Sequence, residues 1–123
     1  VGIFINLIKS KETLEITGSL DRFKDLIYID DVVKAFILSL KKKSDNQIFN
    51  VGTGKKTRIS NLLKNINNIF EPSKKRKIKV LSAPHGEIKG AYADTKKIKQ
   101  KLNFIPKTNL KEGLIKFQKH LGL

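Results

Sequence analysis

Strand-length apolar runs alternate with stretches of helical periodicity along this chain, and that alternation constrains the fold more than any other feature. Residues 3–10 place Ile3, Phe4, Leu7 and Ile8 on one helical face. Residues 13–17, TLEIT, alternate as a strand does, with Leu14 and Ile16 on one side and Glu15 and Thr17 on the other. Residues 18–25 read as a polar loop and 26–29, LIYI, as a short strand. Asp30 and Asp31 then stand where a helix cap is wanted. Val32, Val33, Phe36, Ile37 and Leu40 follow at helical spacing, and Lys41, Lys42 and Lys43 suit the helix end. Residues 44–46 predict a turn and 47–52, QIFNVG, another strand. Ile59, Leu62, Leu63, Ile66, Ile69 and Phe70 form the stripe of a helix capped by Thr57 or Ser60. A loop over 71–77 leads to a strand beginning at 78 and a short extended piece within 85–93. Asp94 caps a short helix bearing Ile98 and Leu102. The last helix carries Leu110, Leu114, Ile115, Phe117 and Leu121. Such interleaving predicts an α/β fold of short strands alternating with helices.

At 123 residues the chain is one domain or a piece of one. It begins at Val1, directly inside a helix-like segment, which leads us to expect that the natural beginning is missing. It has no cysteine, so disulfides and thiolate metal sites are excluded. No apolar run approaches the roughly 20 residues of a membrane span. A cytoplasmic protein is the expectation. The net charge of +15 invites a polyanion-binding reading. Against it, arginine occurs only at 22, 58 and 76, and the lysines are spread along the whole chain.

The run FNVGTGKKT, 49–57, suggests a phosphate loop. A Walker A loop, G-x-x-x-x-G-K-[ST], needs a glycine where Phe49 stands and a hydroxyl where Lys56 stands. A G-x-G-x-x-G loop needs a glycine at Thr57. Both patterns fail, and the run reads instead as a tight turn between a strand and a helix.

Read with its neighbours, the same run carries a resemblance. The ordered segments LEITGSLDRFKDLIYIDDVVKAF, IFNVGTGKKTRISNLLKNI and KVLSAPHGEIKGAYADTKKIKQKLNFIPKTNLKEGL resemble the C-terminal part of the NAD-dependent epimerase/dehydratase family. These are extended short-chain dehydrogenases that act on nucleotide sugars, of the UDP-glucose 4-epimerase kind. The resemblance covers nearly the whole chain. It implies a substrate-binding lobe over residues 1–123 that is incomplete without its Rossmann domain. NAD(P) would then serve the complete enzyme and not be bound by this portion. The family's cofactor loop and its catalytic Tyr-x-x-x-Lys pair are absent. Tyr92 and Lys96 have that spacing but lie too far along the chain, so Tyr92 reads as a packed strand residue and no catalytic residue is expected. On this reading the chain alone is inactive.

The resemblance also implies a set of substrate contacts. Glu15 and Thr17 lie on the strand whose alternate residues face the nucleotide base. Lys24 stands where the family usually has a diphosphate-gripping Arg, and Arg22 is placed to share that role. Lysine keeps the charge but loses the guanidinium fork. In Pro84-His85-Gly86-Glu87 the family's R-P-G-D has lost its Arg, leaving His85 as a donor and Glu87 as the acid. Asp25 and Asp30 are expected to hold the loop and cap the helix, and Asn50 and Gly52 to build the turn. The implied partners are a UDP- or GDP-sugar and the Rossmann portion, in cis or in trans, in an enzyme that is a homodimer when complete. No membrane or nucleic-acid partner is expected. The alternative is a Lys-rich module that binds nucleic acid or another polyanion. A third possibility is a chain not stable by itself, because the helix after residue 30 and the strand at 47–51 pack against the Rossmann half in this family.

Overall fold

The structure, a computed structural model, describes residues 1–10 and 13–123. In chain order it contains α1 (Gly2–Ser10), β1 (Thr13–Thr17), β2 (Phe23–Lys24), α2 (Ile29–Ser39), β3 (Thr57–Arg58), α3 (Ile59–Phe70), β4 (Lys77–Leu81), β5 (Gly90–Ala91), α4 (Lys96–Leu102) and α5 (Leu110–His120). A single 3₁₀ turn spans Lys42–Ser44. This is the mixed α/β architecture that the alternation predicts.

Among the described residues two small sheets form. β1 pairs in parallel with β4, Leu14 opposite Ile78 and Ile16 opposite Val80. β2 lies between β3, antiparallel to it, and β5, parallel to it. The main core forms where α1, α3 and α5 cover β1. Ile5, Ile8, Leu14, Ile16, Leu62, Leu63, Ile66 and Leu114 are buried there. The periodicity of α3 explains its central place, since Ile59, Leu62, Leu63 and Ile66 are buried and Ile69 and Phe70 partly so. In α1 the buried residues are Ile5 and Ile8, with Phe4 and Leu7 partly buried, and Ile3 is exposed. Arg76 joins β4 to α1 by donating from two guanidinium nitrogens to the Ile8 carbonyl at 3.0 and 2.7 Å. A second cluster gathers Ala35, Ile98, Leu102 and Phe104 between α2 and α4.

Three expectations are corrected. Residues 26–28 form no strand, and Ile29 is already helical. Residues 47–52 form no strand either, and among the described residues they take part in no ladder. The side-chain caps expected for α2 and α3 are absent: their N-caps are Tyr28 and Arg58, and neither makes a side-chain cap bond. Thr57 and Arg58 are drawn instead into pairing with β2. The exposed surface expected of α2 without a Rossmann half is present. Its strong apolar stripe faces outward, leaving Phe36 69% and Ile37 59% exposed, with Val33, Leu40 and the following Ile48 exposed too. The buried side of α2 is Asp31 and Ala35. Asp31 is buried because its carboxylate accepts from the Lys107 and Thr108 amides at 3.1 and 2.8 Å, tying α2 to the segment before α5. Burial would raise this carboxyl, but the bonds from Thr108, Lys107 and Lys34 outweigh it and hold it below its ordinary value. Asp30, expected to cap, instead pairs with Lys116 on α5 at 3.6 Å.

α5 begins with a full capping box. The Asn109 side chain accepts from the Glu112 amide, and Glu112 accepts from the Asn109 amide.

Candidate functional site

The glycine run bends because of one distant carboxylate. Asp25 follows β2 directly and accepts from the Thr53 amide and the Gly54 amide, both at 2.9 Å, from the Thr53 hydroxyl, and from the Ala93 amide at 3.1 Å. Burial alone would raise this carboxyl. The bonds from Thr53, Ala93 and Gly54 overcome that and lower it. Gly52 is required by the same contact, since a Cβ there would sit 2.6 Å from both Ala93 Cβ and Asp25 Oδ2. The turn amides that a phosphate would need are therefore spent on Asp25. The run does not fit a dinucleotide phosphate. The sequence reading that Asp25 holds a loop and Gly52 shapes the turn agrees with this geometry.

A second carboxylate organises the loop between β1 and β2. Glu87 accepts from the Ser19 amide at 3.0 Å and pairs with Arg22 at 2.6 Å. Gly18, at φ +82°, leaves room for it: a Cβ at 18 would fall 1.7 Å from Glu87 Oε1. The 84–87 turn, closed by the Glu87 amide to the Pro84 carbonyl at 3.2 Å, is thus locked to the 18–22 loop. His85 stands exposed on that turn. Lys24 closes β2 with its side chain exposed and, among the described residues, no carboxylate in ion-pair range. Side chains alternate along a strand, so Lys24 shares a face with its register partners Thr57 and Ala91.

The expected residues Arg22 and Glu87 are therefore in direct contact, and Lys24 lies two residues along. Glu15 and Thr17 sit on the exposed side of β1. Glu15 pairs across the sheet with Lys79 at 3.0 Å. Thr17 leads into Gly18, whose amide bonds the Leu81 carbonyl at 3.2 Å. The ends of β1 and β4 thus feed the two tied loops. Among the described residues no hydrogen bond or ion pair joins the Glu15 or His85 side chain to the Arg22–Glu87 pair.

Sequence reading did not foresee the aromatic pair beside this loop. Phe23 and Tyr92 meet edge to face with centroids 6.2 Å apart. Lys56 caps both rings, its ammonium 5.0 Å from the first and 4.7 Å from the second. Tyr92, expected as a packed strand residue, instead lies just past β5 and is about half exposed, its ring held by Phe23 and Lys56 alone among the described residues' aromatic and cationic contacts. Lys96 opens α4, where its amide donates to Asp94 at 3.0 Å. Among the described residues no group of three His, Asp or Glu is placed to hold a metal ion. No helix there is long and apolar enough to cross a membrane.

Comparison with known proteins identifies the family and the fold. The family model described as GDP-mannose 4,6-dehydratase matches residues 3–117. An Escherichia coli dTDP-4-dehydro-6-deoxyglucose reductase is 31% identical over 121 residues, which is 98% of this chain and 38% of that protein. The crystal structure of UDP-glucose 4-epimerase with UDP-glucose from Thermotoga maritima superposes with a TM-score of 0.80 at 34% identity, covering 97% of this chain and 39% of that one. A variant UDP-glucuronic acid 4-epimerase from Bacillus cereus, in complex with UDP-4-deoxy-4-fluoroglucuronic acid and NAD, gives 0.81 at 25% identity, covering 96% and 38%. The chain belongs to the NAD-dependent epimerase/dehydratase family and matches the C-terminal part of its structures. It spans 38% of the reductase it matches.

Proposed function

From that membership and from the loop that Glu87 draws together, we propose that the chain is the nucleotide-sugar-binding portion of an NAD(P)-dependent epimerase or dehydratase. One observation carries the reading: Glu87 binds Ser19 and Arg22 at once, while the Lys24 ammonium has no ion-pair partner among the described residues. A diphosphate brings two negative groups. Lys24 meets them as a point charge, and Arg22, oriented by Glu87, adds guanidinium donors that the ion pair does not use. Because Glu87 already offsets the charge of Arg22, Lys24 supplies most of the attraction. Glu15 and Thr17 lie on the nucleotide-base side, and His85 offers a donor from the adjoining turn. The ligand is a UDP-sugar in preference to a GDP-sugar, since both superposed epimerases hold UDP-sugars.

The partner in this reading is a Rossmann portion, in cis or in trans, which brings the cofactor loop and catalytic pair that this chain lacks. The outward apolar stripe of α2 and the exposed Ile48 and Val51 of the segment 47–52 are the surfaces it covers.

Titration calorimetry with UDP-glucose on the protein expressed from its natural gene tests this. Binding is expected to be salt-sensitive, and an Arg22→Glu/Lys24→Glu double change is expected to weaken it by at least about tenfold. Unchanged affinity in a folded double variant would remove Lys24 and Arg22 from the site. Absence of nucleotide-sugar binding with the Rossmann portion supplied would remove the function.

A further inference from the structure

The opposite face of the β2–β3–β5 sheet carries a second cationic feature. Lys24, Thr57 and Ala91 share one face, so Phe23 and Arg58, paired in register, belong to the other. On that side lies an open groove of about 820 Å³, lined among others by Lys56, Arg58, Ser60, Asn61, Lys64 and Lys89. Four of its eight lining residues are cations, against 26 of 123 in the whole chain, so the charge density exceeds what composition supplies. The one carboxylate in the groove, Asp21, stands 4.0 Å from Arg58, with both side chains largely exposed, and offsets little. Lys56, Lys64 and Lys89 have no ion-pair partner among the described residues.

The groove is also partly organised. Lys56 is held over the Phe23 and Tyr92 rings. α3 starts at the groove without a side-chain cap, and its first-turn residues Ser60 and Asn61 line the wall. The first two amides of α3, at Ile59 and Ser60, donate to the Arg22 and Leu20 carbonyls, so the four side-chain cations carry the charge of the groove. These cations come from three segments, at 56–58, at 64 and at 89. A single carboxylate or phosphate needs fewer donors and far less room. A run of adjacent anionic groups matches both the number of cations and their spread.

We propose that this groove binds a phosphoanhydride chain, free or as the tail of a nucleotide, at a site separate from the one Lys24 serves. Four cations around one groove fit three linked phosphates. The half-exposed Tyr92 ring beside Lys56 is where a base would rest if the chain belongs to a nucleotide.

Calorimetry on the protein expressed from its natural gene, with sodium tripolyphosphate and separately with ATP at low salt, tests this. Tripolyphosphate is expected to bind. Arg58→Glu/Lys64→Glu is expected to weaken it by at least about tenfold, and the milder Arg58→Gln/Lys64→Gln by several-fold. UDP-glucose affinity is expected to stay within about twofold in both variants. Equal affinity for ATP and tripolyphosphate assigns the site to the phosphate chain alone, and tighter ATP adds base contact; either supports the site. No tripolyphosphate binding at low salt overturns the proposal, as does binding that the Gln pair leaves untouched. Competition between tripolyphosphate and UDP-glucose also overturns it, and so does binding of a single-stranded oligonucleotide by a protein that ignores tripolyphosphate.

Discussion

Replacing Asp25 by asparagine removes one charge and two acceptor positions while keeping the shape of the side chain. Its carboxylate serves the Thr53 amide, the Thr53 hydroxyl, the Gly54 amide and the Ala93 amide. The remaining oxygen of asparagine can continue to accept from Thr53. Its amide group then points N–H donors at the Gly54 and Ala93 amides, which lose their acceptor. A hydrogen bond to a charged group contributes about 1.5–3 kcal/mol, and two are lost, so the ceiling is about 6 kcal/mol. The site is only partly buried, and water reaches some of the freed amides, so we expect about 2–4 kcal/mol. The sign with pH follows from the lowered Asp25 carboxyl. A group whose folded pKa lies below its unfolded one contributes stability above the unfolded value, about 3.9 for aspartate. That contribution is lost as pH falls through the folded value. The stability gap between wild type and Asp25→Asn should thus be widest near neutrality and close in acid. Urea unfolding of both proteins at a series of pH values measures it. A gap below about 0.5 kcal/mol at neutral pH, or one that persists unchanged in acid, would refute the view that this carboxylate holds the turn.

Three further outcomes follow from the packing. Gly52→Ala places a methyl 2.6 Å from Ala93 Cβ and Asp25 Oδ2, and overpacking of this kind should cost about 1–3 kcal/mol in thermal or urea unfolding. Ile66→Ala empties a fully buried position at the centre of the α1–α3–α5 core, and the midpoint should drop by the equivalent of about 2–5 kcal/mol. Phe36→Ser/Ile37→Ser changes exposed residues of α2, so the core should lose less than about 0.5 kcal/mol. The same pair should weaken association with a separately supplied Rossmann portion, measured by pull-down or analytical ultracentrifugation; undiminished association would show that this stripe is not the contact.

The outward stripe of α2 shows where sequence periodicity and tertiary structure part. Periodicity identifies which residues are neighbours on a helix, and it correctly grouped Val33, Phe36 and Ile37. It cannot say what covers them. Within this chain α4 and the segment before α5 lie on the other side of α2, where Asp31 and Ala35 are buried. The strand expected at 47–52 is absent too. Apolar alternation marks a segment able to pair, but a ladder needs a second backbone, and among the described residues this segment takes part in no ladder.

The candidate site was partly legible. Resemblance placed Arg22, Lys24 and Glu87 near a common ligand, and Arg22 and Glu87 do meet, across 65 residues of chain. Their ion pair was not legible, because no local pattern links residues so far apart. The same holds for the Phe23–Tyr92–Lys56 stack and for the cationic groove behind it, each assembled from segments distant in sequence.

Sequence alone determined α1, β1, α3, β4, α4 and α5 closely, because each has a periodicity, a terminus signal or both that is local to its own residues. It also excluded the run FNVGTGKKT from both nucleotide-loop patterns, through Phe49, Lys56 and Thr57. Only the tertiary structure decided what that run does. Its amides are held by Asp25, 28 residues earlier, and that carboxylate also takes the Ala93 amide, 68 residues away. A carboxylate with several lone pairs can gather donors from any part of the chain that folding brings within about 3 Å, and sequence spacing carries no record of such a meeting.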